Sequence, residues 1–250
     1  MNAPVKRDIE LAWATAVLVA VATLLLMASA VLYTRYGPAL LTRLDVSVGE
    51  VLMEEGIRFE NAGDIKDAEQ RYRIALKSRF EGPQNRAYTL KRLGKLLWLE
   101  GRVEESLPCL QEAARSPDAP ITTFETLCDV LCRLERYSEI PPVAATWLEA
   151  AQEQGNNGSV AAAYYQLGRA AKATGDEAAA VAHFEKAHAL VPGGVPASEL
   201  ANIHYRKGDY ALALTYLDEY LGGGATGNHA DHARSLRKKI LEKLADQGAP

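Results

Sequence analysis

The stretch "YQLGRAAKATGDEAAAVAHFEKAHALVP", residues 165–192, decides the fold of this chain. It reads as two short helices joined at Gly175-Asp176 and closed by Pro192. A glycine tolerates the left-handed conformation that ends a helix, and an aspartate after it is suited to cap the next one. Proline pushes the residue before it out of the helical region, so Pro192 marks an end. The question this raises is whether the hairpin stands alone or recurs.

The same landmarks recur along the chain. Leu167-Gly168 is followed by Gly175-Asp176, Ala180, Phe184 and Ala187. Upstream, Gly56 precedes Gly63-Asp64, Ala68, Tyr72 and Ala75 at matching offsets, and Leu93-Gly94 precedes Gly101, Ser106, Leu110 and Ala113. Downstream, Leu200-Ala201 precedes Gly208-Asp209, Ala213, Leu217 and Tyr220. A degenerate copy lies between, with Leu127-Cys128, Leu131, Ile140, Ala144 and Trp147. The small residues Gly56, Gly94, Cys128, Gly168 and Ala201 are spaced by 38, 34, 40 and 33 residues.

Each landmark has a mechanical reason. A small residue on the first helix of a pair lets the second approach closely, and an alanine with an aromatic or leucine four residues later forms the stripe that packs back on it. Asp64, Asp176 and Asp209 are the expected caps of the second helices. In the degenerate copy Glu135-Arg136 replaces Gly-Asp. Pro141-Pro142 there is tolerable only in a first turn, so that helix is expected to start late. Extra residues fall in "FEGPQN" and "EQGNNGSV", the second of which reads as a hinge.

These residues resemble the tetratricopeptide repeat, most closely over residues 161–192. The resemblance covers about residues 49–221 and implies an all-α fold: a right-handed superhelical array of helix-turn-helix repeats. The copies span 49–82, 87–118, 121–150, 161–192 and 194–221. Residues 222–250 hold an amphipathic helix with Ala233, Leu236, Ile240 and Leu244 on one side, begun by Asn228. Stacked repeats leave the last pair's apolar side open, so this helix is expected to cap the array.

The first residues are a different material. After a flank over 1–10, no charge occurs from Leu11 to Thr34. At 1.5 Å per residue that run makes a helix of about 36 Å, enough to cross a hydrocarbon core of about 30 Å. Trp13 near one end and Tyr33 and Tyr36 near the other suit the two interfaces. A single transmembrane helix over 11–34 is therefore expected, with a connector over 35–48. Lys6, Arg7 and the amino terminus weigh against Arg35 and Arg43. The balance places the N-terminus in the cytoplasm and the repeats outside it, and the alanine-rich repeats suggest a bacterial inner membrane. A competing reading is a cleaved signal peptide, because Ala28-Ser29-Ala30 resembles a cleavage site. The length of the apolar run and the acidic Asp8 and Glu10 oppose it.

Composition excludes several functions. A net charge of −4 argues against a general nucleic-acid binder. Cys109, Cys128 and Cys132 cannot form a complete disulfide framework, and the last two read as small core residues. Gly222–Gly224 lacks the Lys-Ser/Thr of a phosphate-binding loop, and neither HExxH nor CxxC occurs. His229 and His232 are too few for a zinc site. The chain is expected to be no enzyme and to need no cofactor or metal.

The resemblance also implies that first helices face a concave groove. On that reading Lys91, Lys95 and Trp98, then Arg133, then Tyr165, Arg169 and Lys172, then Asn202, Tyr205 and Arg206 line it. Met53, Ile57, Glu60, Glu125 and Asp129 complete the lining. Basic residues beside exposed aromatics pair with carboxylates and stack on a peptide, which points to an acidic segment or a C-terminal tail as ligand. The alternative is that lysine and arginine simply keep a helix face soluble. The expected function is a membrane-anchored scaffold or assembly factor holding a protein partner. Its rivals are a secreted repeat protein and a regulatory subunit of a membrane enzyme complex. Small residues in "ASAVLY" leave self-association open.

Overall fold

The computed structural model describes residues 48–248, with Val21, Thr23 and Met27 as isolated helical positions before them. The expected membrane helix over 11–34 lies outside the described residues apart from those three positions. Among the described residues, no helix is long and apolar enough to cross a membrane. The described residues are all-helical, and the chain forms two compact units that divide between Gly82 and Pro83.

The first unit holds one helix pair, α1 over 48–62 and α2 from Ile65 to Ala75. Gly56 explains why they pack. A Cβ there would lie 2.5 Å from Cε1 of Tyr72, far inside contact distance, so only glycine lets the fully buried ring lie against α1. The Tyr72 hydroxyl donates to Glu60 Oε2 at 2.6 Å, which gives the ring's polar end a partner.

The second unit holds four pairs and a final helix. The pairs are α3 (Pro83–Leu99) with α4 (Val103–Ala114), and α5 (Thr122–Arg133) with α6 (Ile140–Glu153). After them come α7 (Asn157–Ala173) with α8 (Glu177–Leu190) and α9 (Val195–Lys207) with α10 (Tyr210–Gly222), then α11 (Gly227–Gly248). Each second helix also packs on the next first helix, as α4 does on α5, α6 on α7 and α8 on α9. A stack with such nearest-neighbour packing is a solenoid. One core cluster joins α4 to α7 through Leu110, Phe124, Leu131, Trp147, Val160 and Ala163. Phe184, Leu200 and Ile203 join α8 to α9. Ala233, Leu236 and Ile240 of α11 bury against Leu217 and Tyr220 of α10, so the last helix covers the end of the stack.

The turns are where expectation and structure part. Gly63, Gly101, Gly175 and Gly208 all have φ between 79 and 85°. In the degenerate copy Glu135 takes this position with φ 57°, a conformation that costs a side-chain-bearing residue about 1 kcal/mol or more. Of the three expected aspartate caps only Asp176 acts as one, accepting from the Ala179 N–H at 2.9 Å. Asp64 makes no side-chain cap, and Asp209 instead lies 3.3 Å from Nδ1 of His204. Asn228 does not begin the last helix either, because α11 already starts at Gly227.

Tyr137–Glu139 form a 3₁₀ turn, and α6 starts after it with Pro141 and Pro142 in its first turn. The stretch read as a hinge is a tight capped turn. Asn156 accepts from the Ser159 N–H at 3.0 Å, and its own N–H reaches the Ala151 carbonyl at 2.9 Å. The surplus residues lengthen α7 instead.

Candidate functional site

The face of interest begins with the helices that build it. Gly94, Gly168 and Ala201 sit on the seams between first and second helices. At Gly168 an added Cβ would lie 2.4 Å from Cε1 of Phe184, and at Gly94 2.7 Å from Cγ of Leu110. The residue after each seam position points elsewhere: Lys95 on α3, Asp129 on α5, Arg169 on α7 and Asn202 on α9. Helical period carries the same strip to Trp98, Lys172 and Tyr205.

Asp129, Gln166 and Arg169 form a network across α5 and α7. Arg169 Nη1 donates to Asp129 Oδ1 at 2.8 Å and to Gln166 Oε1 at 2.9 Å, while Gln166 Nε2 donates to Asp129 Oδ1 at 3.0 Å. The guanidinium also lies 5.8 Å from the Tyr165 ring centroid. Burial pushes the Tyr165 phenol up to about 12, with Glu199 adding to the effect. Cys128 and Cys132 are free thiols beneath this network, and burial is the first cause that raises both above the ordinary thiol value.

The other predicted cations are tied as well. Lys172 Nζ meets Glu199 Oε2 on α9 at 2.6 Å, and Arg206 Nη2 meets Glu177 Oε2 on α8 at 2.9 Å. Asn202 donates to the Ser198 carbonyl of its own helix at 2.8 Å. Tyr205 lies beside Tyr210 with ring centroids 5.7 Å apart. On α7 and α9 each cation of the expected strip has a carboxylate, because neighbouring repeats supply Asp129, Glu199 and Glu177.

The α3 and α5 end differs. Lys95 and Arg133 are exposed, and neither makes an ion pair among the described residues. Lys91 and Arg92 lie over the Tyr88 ring at 5.7 and 5.6 Å, and Trp98 packs partly against the core cluster. Lys95 and Arg133, the cations of the expected lining without a carboxylate among the described residues, thus lie on α3 and α5.

Sequence reasoning missed Gln166, Glu177 and Glu199. A signal for two of them existed: Gln166 stands two residues before Gly168, and Glu199 two before Ala201, the same register in consecutive repeats. Among the described residues no group of histidine, cysteine and acidic side chains could hold a metal ion.

A sequence model of the tetratricopeptide repeat matches residues 53–120, and a second matches residues 161–190. The chain carries tetratricopeptide repeats. Solved structures share the fold. PilF of Pseudomonas aeruginosa superposes with a TM-score of 0.59 at 19% identity, over 82% of this chain and 93% of that one. YrrB, described as a tetratricopeptide-repeat protein with an unusual peptide-binding site, gives 0.56 at 19% identity, over 74% and 90%. MamA of Desulfovibrio magneticus gives 0.54 at 16% identity, over 80% and 97%. No curated protein matches the sequence significantly. The two repeat matches leave out the whole of α5 and α6, where Glu135 and the proline pair depart from the pattern.

Proposed function

We propose that this chain is a membrane-anchored scaffold that binds an acidic segment or C-terminal tail of a protein partner in the groove of its repeats. The observation that carries the reading is the pair Lys95 and Arg133, exposed and unpaired on helices α3 and α5, which pack together. A cation with no internal partner is available to a ligand carboxylate, and the Trp98 and Tyr88 rings supply apolar surface beside it. The described peptide-binding site of YrrB supports the same use of the fold. The action is binding, without catalysis.

The uncharged run over 11–34 supports anchoring. Fixing the repeats at a bacterial inner membrane, on its extracytoplasmic side, would raise the effective concentration of partners there. A cleaved, secreted form is the second reading, favoured by Ala28-Ser29-Ala30, and a mature N-terminus at Val31 would establish it. The test is cross-linking in intact membranes, followed by mass spectrometry, of the wild type against Lys95→Glu with Arg133→Glu. Loss of one abundant partner from the folded double variant is the expected result. Retention of every partner would refute the groove.

A further inference from the structure

The last turn of α4 forms a ridge between two hollows. One, of about 270 Å³, is floored by Pro83, Ala87 and Leu90 of α3 and closed by Pro117. The other, of about 240 Å³, is walled by Phe124 and Leu127 of α5 and by Pro142 and Val143 of α6. Residues three and four apart share a helix side, so Gln111 and Ala114 face the second hollow while Glu112 and Ser116 face the first. Arg115 sits on the crest and lines both.

One charged group on the ridge lacks a partner. Arg115 is exposed and makes no ion pair among the described residues. The nearby Glu112 is engaged by Arg86 at 2.7 Å. So the ridge offers one positive charge between two apolar depressions.

We infer that this ridge is a second docking site, apart from the first-helix face, for an extended segment of a partner protein with an acidic residue between two apolar ones. The carboxylate pairs with Arg115, and one apolar side chain enters each hollow. In an extended segment alternate side chains share a side, so the pattern is apolar-x-acidic-x-apolar. A single-tailed amphiphile such as a fatty acid fits less well, because its carboxylate ends the chain and leaves one hollow empty.

The test uses the full-length chain in nanodiscs and two fluorescein-labelled peptides, Leu-Ser-Asp-Ser-Leu and Leu-Ser-Lys-Ser-Leu, read by anisotropy. The wild type is expected to bind the aspartyl peptide saturably and at least tenfold tighter than the lysyl one. Arg115→Glu should reverse that order, which no folding defect can do, and Val143→Asp should abolish binding of both. Lys95→Glu with Arg133→Glu should leave the affinity unchanged, separating this site from the groove. Absence of saturable binding at millimolar peptide overturns the inference, and so does equal binding by wild type and Arg115→Glu.

Discussion

Asp129 on α5 and Arg169 on α7 meet at 2.8 Å, and Gln166 hydrogen-bonds to both. Forty residues separate the pair in sequence, so the contact exists only when the third and fourth repeats stack in the correct register. Asp129→Asn leaves the guanidinium without its charge partner. Both side chains are about a third exposed, so solvent compensates in part. The expected loss is about 1–2 kcal/mol, read as a lower urea midpoint.

Gly168 and Phe184 make the tightest seam. Gly168→Ala places a methyl 2.4 Å from the ring and should cost about 1–3 kcal/mol in urea unfolding. Adding Phe184→Leu opens space, so the double variant should be more stable than the sum of the single losses predicts. Simple additivity would show that the two residues do not press on each other.

Glu135 holds a left-handed conformation that the other repeats give to glycine. Glu135→Gly should raise stability by up to about 1 kcal/mol, and Gly175→Ala should lower it by about 1 kcal/mol. Thermal unfolding of the two variants should therefore move Tm in opposite directions.

His183 carries the acid sensitivity of α8. Burial, and then the Lys186 ammonium, hold its pKa below the ordinary imidazole value, and its ring stacks on Tyr164 with centroids 6.2 Å apart. The unfolded chain binds this proton more tightly than the folded one. The histidine's contribution is thus complete above an ordinary pKa of about 6.5 and is lost as pH falls from that value through the lower pKa of the folded state. Lys186→Gln should raise the pKa of His183 in an NMR titration and soften the loss below that pH.

The repeat was legible because every copy meets the same steric demand. Gly56 against Tyr72, Gly94 against Leu110 and Gly168 against Phe184 are one solution used three times, and repetition exposes it even where single residues drift. Turn glycines were legible for the same reason. The caps were less so, since an aspartate after the turn has other partners within reach, as Asp209 finds in His204. The ion pairs were not legible. Strip positions such as Lys95, Arg169 and Lys172 look alike in sequence, and only the register between repeats decides which one meets a carboxylate. The ridge at Arg115 was hidden too, because a helix-ending arginine ordinarily just complements the helix dipole.

Photo-cross-linking from single sites tests the central claim most directly. A photoreactive residue would be placed in turn at Lys95, Arg133 and Glu104, the last exposed on α4, and irradiated in intact cells. A partner that binds the first-helix face gives one shared adduct from positions 95 and 133 and none from 104. An adduct from position 104 with none from 95 or 133 would contradict the account.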